Sequence, residues 1–298
     1  MSDGPVPAFA FDVRSVERVL PIEGLTADWA WGDGSGKGVK VAIIDSGVDS
    51  GHSGLLGPVT GYVNVRSRDD GTIEYDMAPH ADSYGHGTAC AGIVRSIAPA
   101  CEIYSVKVLG PALLGSGAAF TAGLRWAIEN EMDVCNLSLG TTRKEFFATL
   151  HELADTAYFK NIILVTAANN MPVPSFPSVY ASVISVSSHA VDDPTCFYYN
   201  PEPPVEFGAH GINVQVCWLH DSHLTVTGNS FAAPHITGLV TRIRARHPRP
   251  GLTAKTIGPQ SAPARGCEPL TAFQIKSVLH ALASNVGTNA AGSTQDAP

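Results

Sequence analysis

The 298 residues, 44% of them hydrophobic and 15% charged, are enough to bury a substantial core, and one large α/β domain fits them better than two. A formal net charge of −8 excludes nucleic acid and anionic membrane as natural partners, because both call for basic patches. No apolar run approaches the length of a membrane span.

Met1 to Ala10 has neither a basic start nor an apolar core of signal-peptide length. With Met1 as the start, the expected location is cytoplasmic, and residues 1–24 form a short N-terminal arm. Val39 to Asp45 is an apolar run rich in branched residues that predicts a strand over 39–45, ending in a carboxylate and a turn. In Tyr84-Gly85-His86-Gly87-Thr88 a histidine precedes small residues, which predicts a tightly packed helix over 86–95. Further apolar runs predict strands at 102–109, 133–139, 161–167 and 182–187, alternating with helices near 118–130 and 144–159. That alternation is expected of a mostly parallel sheet with helices on both faces, a single-domain three-layer sandwich.

The run 161–167 breaks into a polar loop at Ala168-Asn169-Asn170. Thr227-Gly228-Asn229-Ser230-Phe231 then sets a serine directly ahead of an apolar helical run to Arg246, with Arg242, Arg244 and Arg246 as its solvated end. Residues 247–268, rich in Pro, Gly, Ala and Ser, read as an inserted loop. Thr271-Ala272-Phe273-Gln274 reads as a capping box opening a last helix to about Ala283. The principal domain is placed at 25–284, and the small polar tail 285–298 is expected to be disordered.

Taken singly, the chemical residues have bland explanations. Asp45 caps a turn, His86 is a satisfied core histidine, and Ser230 is a helix cap. Together and in the order Asp, His, Ser, their three motifs resemble the subtilisin family of serine proteases, the subtilases, from about Leu25 to about Arg246. The resemblance implies a Ser230 nucleophile, His86 as its general base and Asp45 as the group that orients the imidazole. It also implies that Asn169 donates its side-chain amide to the oxyanion, with the Ser230 N–H as second donor.

The family binds an extended peptide between two enzyme segments. The matching segments here are Gly115-Ser116-Gly117 and Ser138-Leu139-Gly140. Ala167 and Ala168 fall beside the pocket for the side chain preceding the scissile bond, where Ala168 and Met171 replace usual glycines and narrow the wall. Asn229 and Phe231 replace the family's usual Thr and Met on either side of the serine.

No cofactor is expected. The family's tight calcium site needs a loop inserted in the helix after the histidine, and Ala91 to Pro99 leaves no room for it, while its usual carboxylate is Gly54. Asp69, Asp70, Asp76 and Asp82 are the residues of an alternative weak calcium site, or of a solvated acidic loop. The six cysteines include no CxxC pair and read mostly as small buried hydrophobes, with Cys90 one helical turn beyond His86. The expected partner is a peptide or protein substrate. The reading is an endopeptidase resembling compact intracellular family members, with leader-peptide maturation as one role. Its alternatives are a general intracellular protease and a catalytically silent peptide-binding fold.

Overall fold

Branched apolar residues on both faces of a strand demand cover on both sides, and the sequence supplies it with helices. The computed structural model describes residues 25–250 and 268–286; the proposed arm 1–24 and most of the inserted loop and tail lie outside them. After a one-turn helix α1 (Ala27–Ala30) come β1 (Lys40–Asp45), β2 (Gly61–Ser67), β3 (Ile73–Asp76), α2 (His86–Ile97) and β4 (Glu102–Lys107). Next are α3 (Gly117–Glu129), β5 (Val134–Leu137), α4 (Phe147–Phe159), β6 (Ile163–Ala167) and β7 (Ile184–His189). The chain continues through β8 (Phe197–Tyr199), β9 (Phe207–His210), β10 (Val214–Trp218), β11 (Ser222–Val226), α5 (Asn229–Arg246) and α6 (Ala272–Leu282).

Nine strands form one sheet in the order β3-β2-β4-β1-β5-β6-β7-β9-β8. All neighbours are parallel except the edge pairs β2–β3 and β8–β9. β1 shows why the sandwich has three layers. Val41 and Ile43 enter a core shared with α2, α5 and α6, and Ala42 and Ile44 enter the opposite core with α3 and α4. Burying each of the valine and isoleucine side chains contributes about 1.5–3 kcal/mol. In the first layer α5 crosses α2 at Gly238, where a Cβ would lie 2.7 Å from Ile97 Cβ. The crossing therefore needs glycine at this place, where the middle of α5 meets the C-terminal end of α2.

The expected fold and its strands and helices are present. Of the sequence-level capping signals, Thr271 and Gln274 form the reciprocal box that opens α6. Two expectations need correction. Arg242, Arg244 and Arg246 do not make one solvated end, because positions two apart lie about 200° around a helix. Arg244 therefore points opposite to its neighbours and is 2% exposed, donating to Leu270 O at 2.7 Å and Asn161 O at 2.9 Å. Its burial lowers the guanidinium to about 10 against the pull of Asp133, so it stays charged at neutral pH. Arg242 meanwhile donates to Gly32 O.

The second correction concerns Asp82, which is buried and does not belong to an acidic surface loop. It accepts from Ser46 Oγ, the N–H groups of Tyr84, Gly85 and Thr88, and Thr88 Oγ1, all at 2.7–2.9 Å. This carboxylate anchors the entrance to α2. Asp70 and Asp76 instead close local turns onto Thr72 and Ala78. Among the described residues, these aspartates form no group with metal-ligand spacing.

Candidate active site

Strand β1 lies between β4 and β5, and the chain passes from one side of it to the other, so its carboxyl end opens at a topological switch point. Asp45 is the last residue there and is fully buried. Its Oδ1 accepts from Ser46 N–H at 2.8 Å, and its two oxygens share His86 Nδ1 at 2.8 and 2.9 Å. His86 begins α2 directly after Gly85, whose φ of +108° makes the sharp entry. The helix starts this close to Asp45 because Gly87 has no side chain; a Cβ there would strike Gly47 O.

Burial of the His86 ring opposes protonation. The charge and hydrogen bond of Asp45, with a further contribution from Asp82, outweigh it and hold the imidazole above its ordinary value. The pair is therefore arranged to stabilise an imidazolium, with Nδ1–H fixed on Asp45 and Nε2 left as the basic nitrogen.

Ser230 is half-exposed in the first turn of α5. Phe231 beside it packs on the His86 ring with centroids 5.3 Å apart. Cys90 Sγ lies 3.9 Å from Asp45 Oδ2 and 3.6 Å from Ser230 O, so the three segments meet here. Pro234 sits four residues after Ser230 and has no N–H to give to its carbonyl. Ser138 Oγ takes that place at 2.7 Å. Ser138 is in turn held by Asn136 Nδ2 at 2.9 Å, and Asn136 Oδ1 by Thr237 Oγ1 at 2.9 Å. Leaving a carbonyl unmatched costs up to about 1–3 kcal/mol where it is fully buried and less at this partly buried one. The proline spacing was visible in the sequence, but the serine that answers it lies 92 residues away.

Asn229 carries a second tie that sequence reading missed. Its Oδ1 accepts from Ser188 N–H and Oγ at 2.9 and 2.8 Å, and its Nδ2 donates to Ala168 O and Asn169 O at 3.2 Å each. Asn229 N–H also donates to Asn170 Oδ1 at 2.9 Å. The residue that departs from the family pattern thus fastens the serine turn to the 168–170 loop. Asn169 itself is half-exposed, and its Oδ1 accepts from Met171 N–H at 2.9 Å. That bond sets the amide orientation and leaves the NH2 as the donor end.

The substrate segments are placed differently from one another. Ser138 is buried, with Leu139 half-exposed and Gly140 exposed, an open strip leading from β5. Of Gly115-Ser116-Gly117, only Gly115 precedes the helix cap. Ser116 Oγ caps α3 by accepting from Ala119 N–H at 3.0 Å, and Gly117 belongs to the helix. Leu114 and Gly115 border a cleft of about 560 Å³ that reaches Ser83 and Lys107. Ala167 ends β6, and Ala168 N–H donates to Val186 O at 2.8 Å. Met171 stands largely exposed beside them.

One group on α5 gives a stability prediction. His235 is buried, and burial, with His210 and His189 adding to it and the Phe231 carbonyl and Asp192 opposing, lowers it to about 4 from its usual 6.5. A depressed histidine binds fewer protons folded than unfolded, so its stability contribution is complete above about pH 6.5 and lost as pH falls toward 4. The loss amounts to roughly 3 kcal/mol. Thermal midpoints of a Ser230→Ala chain between pH 4 and 7 should fall with acid more steeply than those of Ser230→Ala carrying His235→Leu. Coincident profiles would refute the assignment.

The model of the Subtilase family matches residues 36–291. The minor extracellular protease Epr of Bacillus subtilis (strain 168) is 32% identical over 262 residues, covering 83% of this chain and 38% of Epr. A thermostable alkaline protease of Halalkalibacterium halodurans is 28% identical over 224 residues, covering 72% of this chain and 58% of that protein. The chain thus spans less than two thirds of the length of both. Among solved structures, sphericase superposes with a TM-score of 0.64 at 21% identity, covering 83% of each chain, a likeness of fold. The resemblance to intracellular members in particular is not what these matches show, since Epr is named as extracellular. With the fold, the Asp45–His86 pair and the serine turn in place, the matched residues state the conclusion: the chain belongs to the subtilase family.

Proposed function

We propose that this chain is a serine endopeptidase that hydrolyses peptide bonds through an acyl-enzyme on Ser230. The observation that carries the reading is the buried Asp45 carboxylate holding His86 Nδ1 at 2.8 and 2.9 Å, beside the turn that presents Ser230. His86 Nε2 takes the Ser230 proton as Oγ attacks the carbonyl carbon, and Asp45 stabilises the imidazolium that results. The imidazolium then protonates the departing amine as the C–N bond breaks. Water repeats the sequence on the ester, and Ser230 recovers its proton.

The carbonyl oxygen gains negative charge in both tetrahedral intermediates. Asn169 Nδ2 and the Ser230 N–H are the donors for it, and the fastening of the 168–170 loop through Asn229 holds the two together. Asn169→Ala should lower kcat by about 10²–10³ with little change in KM; the range is that of subtilisin itself, the type case for such a donor. A change confined to KM would remove Asn169 from this role. Substrate backbone lies along Ser138-Leu139-Gly140, with Gly115 opposite, and Ala167 and Ala168 bound the pocket of the residue before the scissile bond.

Covalent capture tests the whole assembly without the natural substrate. A fluorophosphonate should add once per chain, on Ser230, and His86→Ala should slow the reaction strongly. Folded wild-type protein that takes no adduct would favour the silent peptide-binding fold instead.

A further inference from the structure

Outside the candidate active site, β10 and β11 pair Cys217 directly with His223, so both side chains leave the hairpin on one face. Opposite them stands His52, the N-cap of the 3-10 turn Ser53–Leu55. The nitrogen and sulfur donors of His52, Cys217 and His223 lie within 4.8 Å of one another. We propose that these three residues bind a zinc-class divalent cation that clamps the hairpin to the segment leaving β1.

Three features of the surroundings suit a metal. First, His52 Nε2–H donates to Ser222 O at 2.9 Å, which fixes Nδ1 as the lone-pair nitrogen. A backbone carbonyl on the far nitrogen is the usual support of a metal-binding imidazole. Second, the thiol sits in a cradle that only glycines leave open, since a Cβ at Gly54 would be 2.6 Å from Cys217 Sγ and one at Gly92 2.9 Å. Third, a cleft of about 450 Å³ reaches Gly92, Cys217 and His223 and gives an entry path.

One thiolate and two imidazoles match the borderline-soft preference of zinc. Asp221 Oδ1 lies 3.4 Å from His52 Nδ1 but is held by Ser53 N–H and Oγ at 2.8 and 2.7 Å and stands outside the three-donor group, so water supplies the fourth donor. Zinc bonds of about 2.0–2.3 Å place tetrahedral donors roughly 3.3–3.8 Å apart, so loading draws the cluster together by about 1 Å. Nδ1 gives up its present bond from Gly54 N–H, at 3.0 Å, in exchange. Cys217 loses its S–H proton to solvent as the S–metal bond forms, with no change of oxidation state.

Cobalt(II) titration of a metal-stripped Ser230→Ala chain under a phosphine reductant tests this, because the spectrum reports thiolate ligation and Ser230→Ala removes self-cleavage. The expected result is one equivalent bound, with a sulfur-to-cobalt band and tetrahedral visible absorption, displaced by zinc. Cys217→Ser should abolish the sulfur band, and the exposed-site variant His223→Ala should weaken binding about tenfold or more. Melting curves taken without metal confirm that each variant is folded. The other thiol-containing group, Asp45, His86 and Cys90, is distinguished by Cys90→Ala. No sulfur band in the folded parent chain would overturn the proposal. So would a band that survives Cys217→Ser and disappears with Cys90→Ala.

Discussion

Ser230→Ala is expected to lower peptide turnover by about 10⁶-fold, the size of the loss in subtilisin itself, while leaving the fold intact. The separation of the two effects follows from which atoms of Ser230 do what. The structural bonds at this residue, from Ser138 Oγ and Cys90 Sγ, end on its backbone carbonyl, which alanine retains. The hydroxyl is the part removed. Residual catalysis of about 10³-fold over water should persist from the oxyanion donors and substrate binding. Turnover of a fluorogenic peptide by pure variant, with a thermal melt beside it, measures both. Undiminished cleavage with an unchanged melt would eliminate the acyl-enzyme mechanism.

Asp45→Asn should cost about 10⁴-fold in kcat, the size of loss known for the corresponding change in trypsin-type enzymes. Asparagine fits the same buried volume and can still accept from Ser46 N–H through its oxygen. Its NH2, however, faces His86 Nδ1 and favours the tautomer with the proton on Nε2, which cannot accept from Ser230. The same change alters the pH profile. In the native chain the acid limb of kcat/KM should rise through a His86 value held above its ordinary one by the charge and hydrogen bond of Asp45, against the opposing effect of burial. Without the carboxylate charge the imidazolium loses its main support, and the limb should move to lower pH. A loss below tenfold, or an unmoved limb, would deny Asp45 its orienting role.

What could be read from the sequence was local. β1 and the entry to α2 are continuous stretches whose composition states both their structure and the residue at their end, so Asp45 and His86 could be placed at a crevice. Pro234 and Thr271 likewise act within a helical turn or two. The unreadable parts depend on pairs far apart in the chain. Thr237, Asn136 and Ser138 form a relay to Ser230, yet 101 residues separate the first two. Asn229 looked like a defect of the motif until Ser188 and Ala168 were seen around it. β10 and β11 escaped notice because β11 is mostly exposed and carries little apolar pattern. Arg244 shows a different reason: its i, i+2, i+4 context was read as charge, while the helical angle decided its burial.

The position of α5 sets the order in which the parts of the site would assemble during synthesis. That helix packs against β5, β6, β7 and β9, strands drawn from a long stretch of earlier chain, and it carries the serine. Asp45 and His86 leave the ribosome well before it. Contacts of such sequence separation form late and slowly. A growing chain that has released Asp45 and His86 still lacks both Ser230 and the helix against which α2 packs. Under the proposed mechanism, Asp45, His86 and Ser230 would come together only when α5 docks on α2 and the sheet.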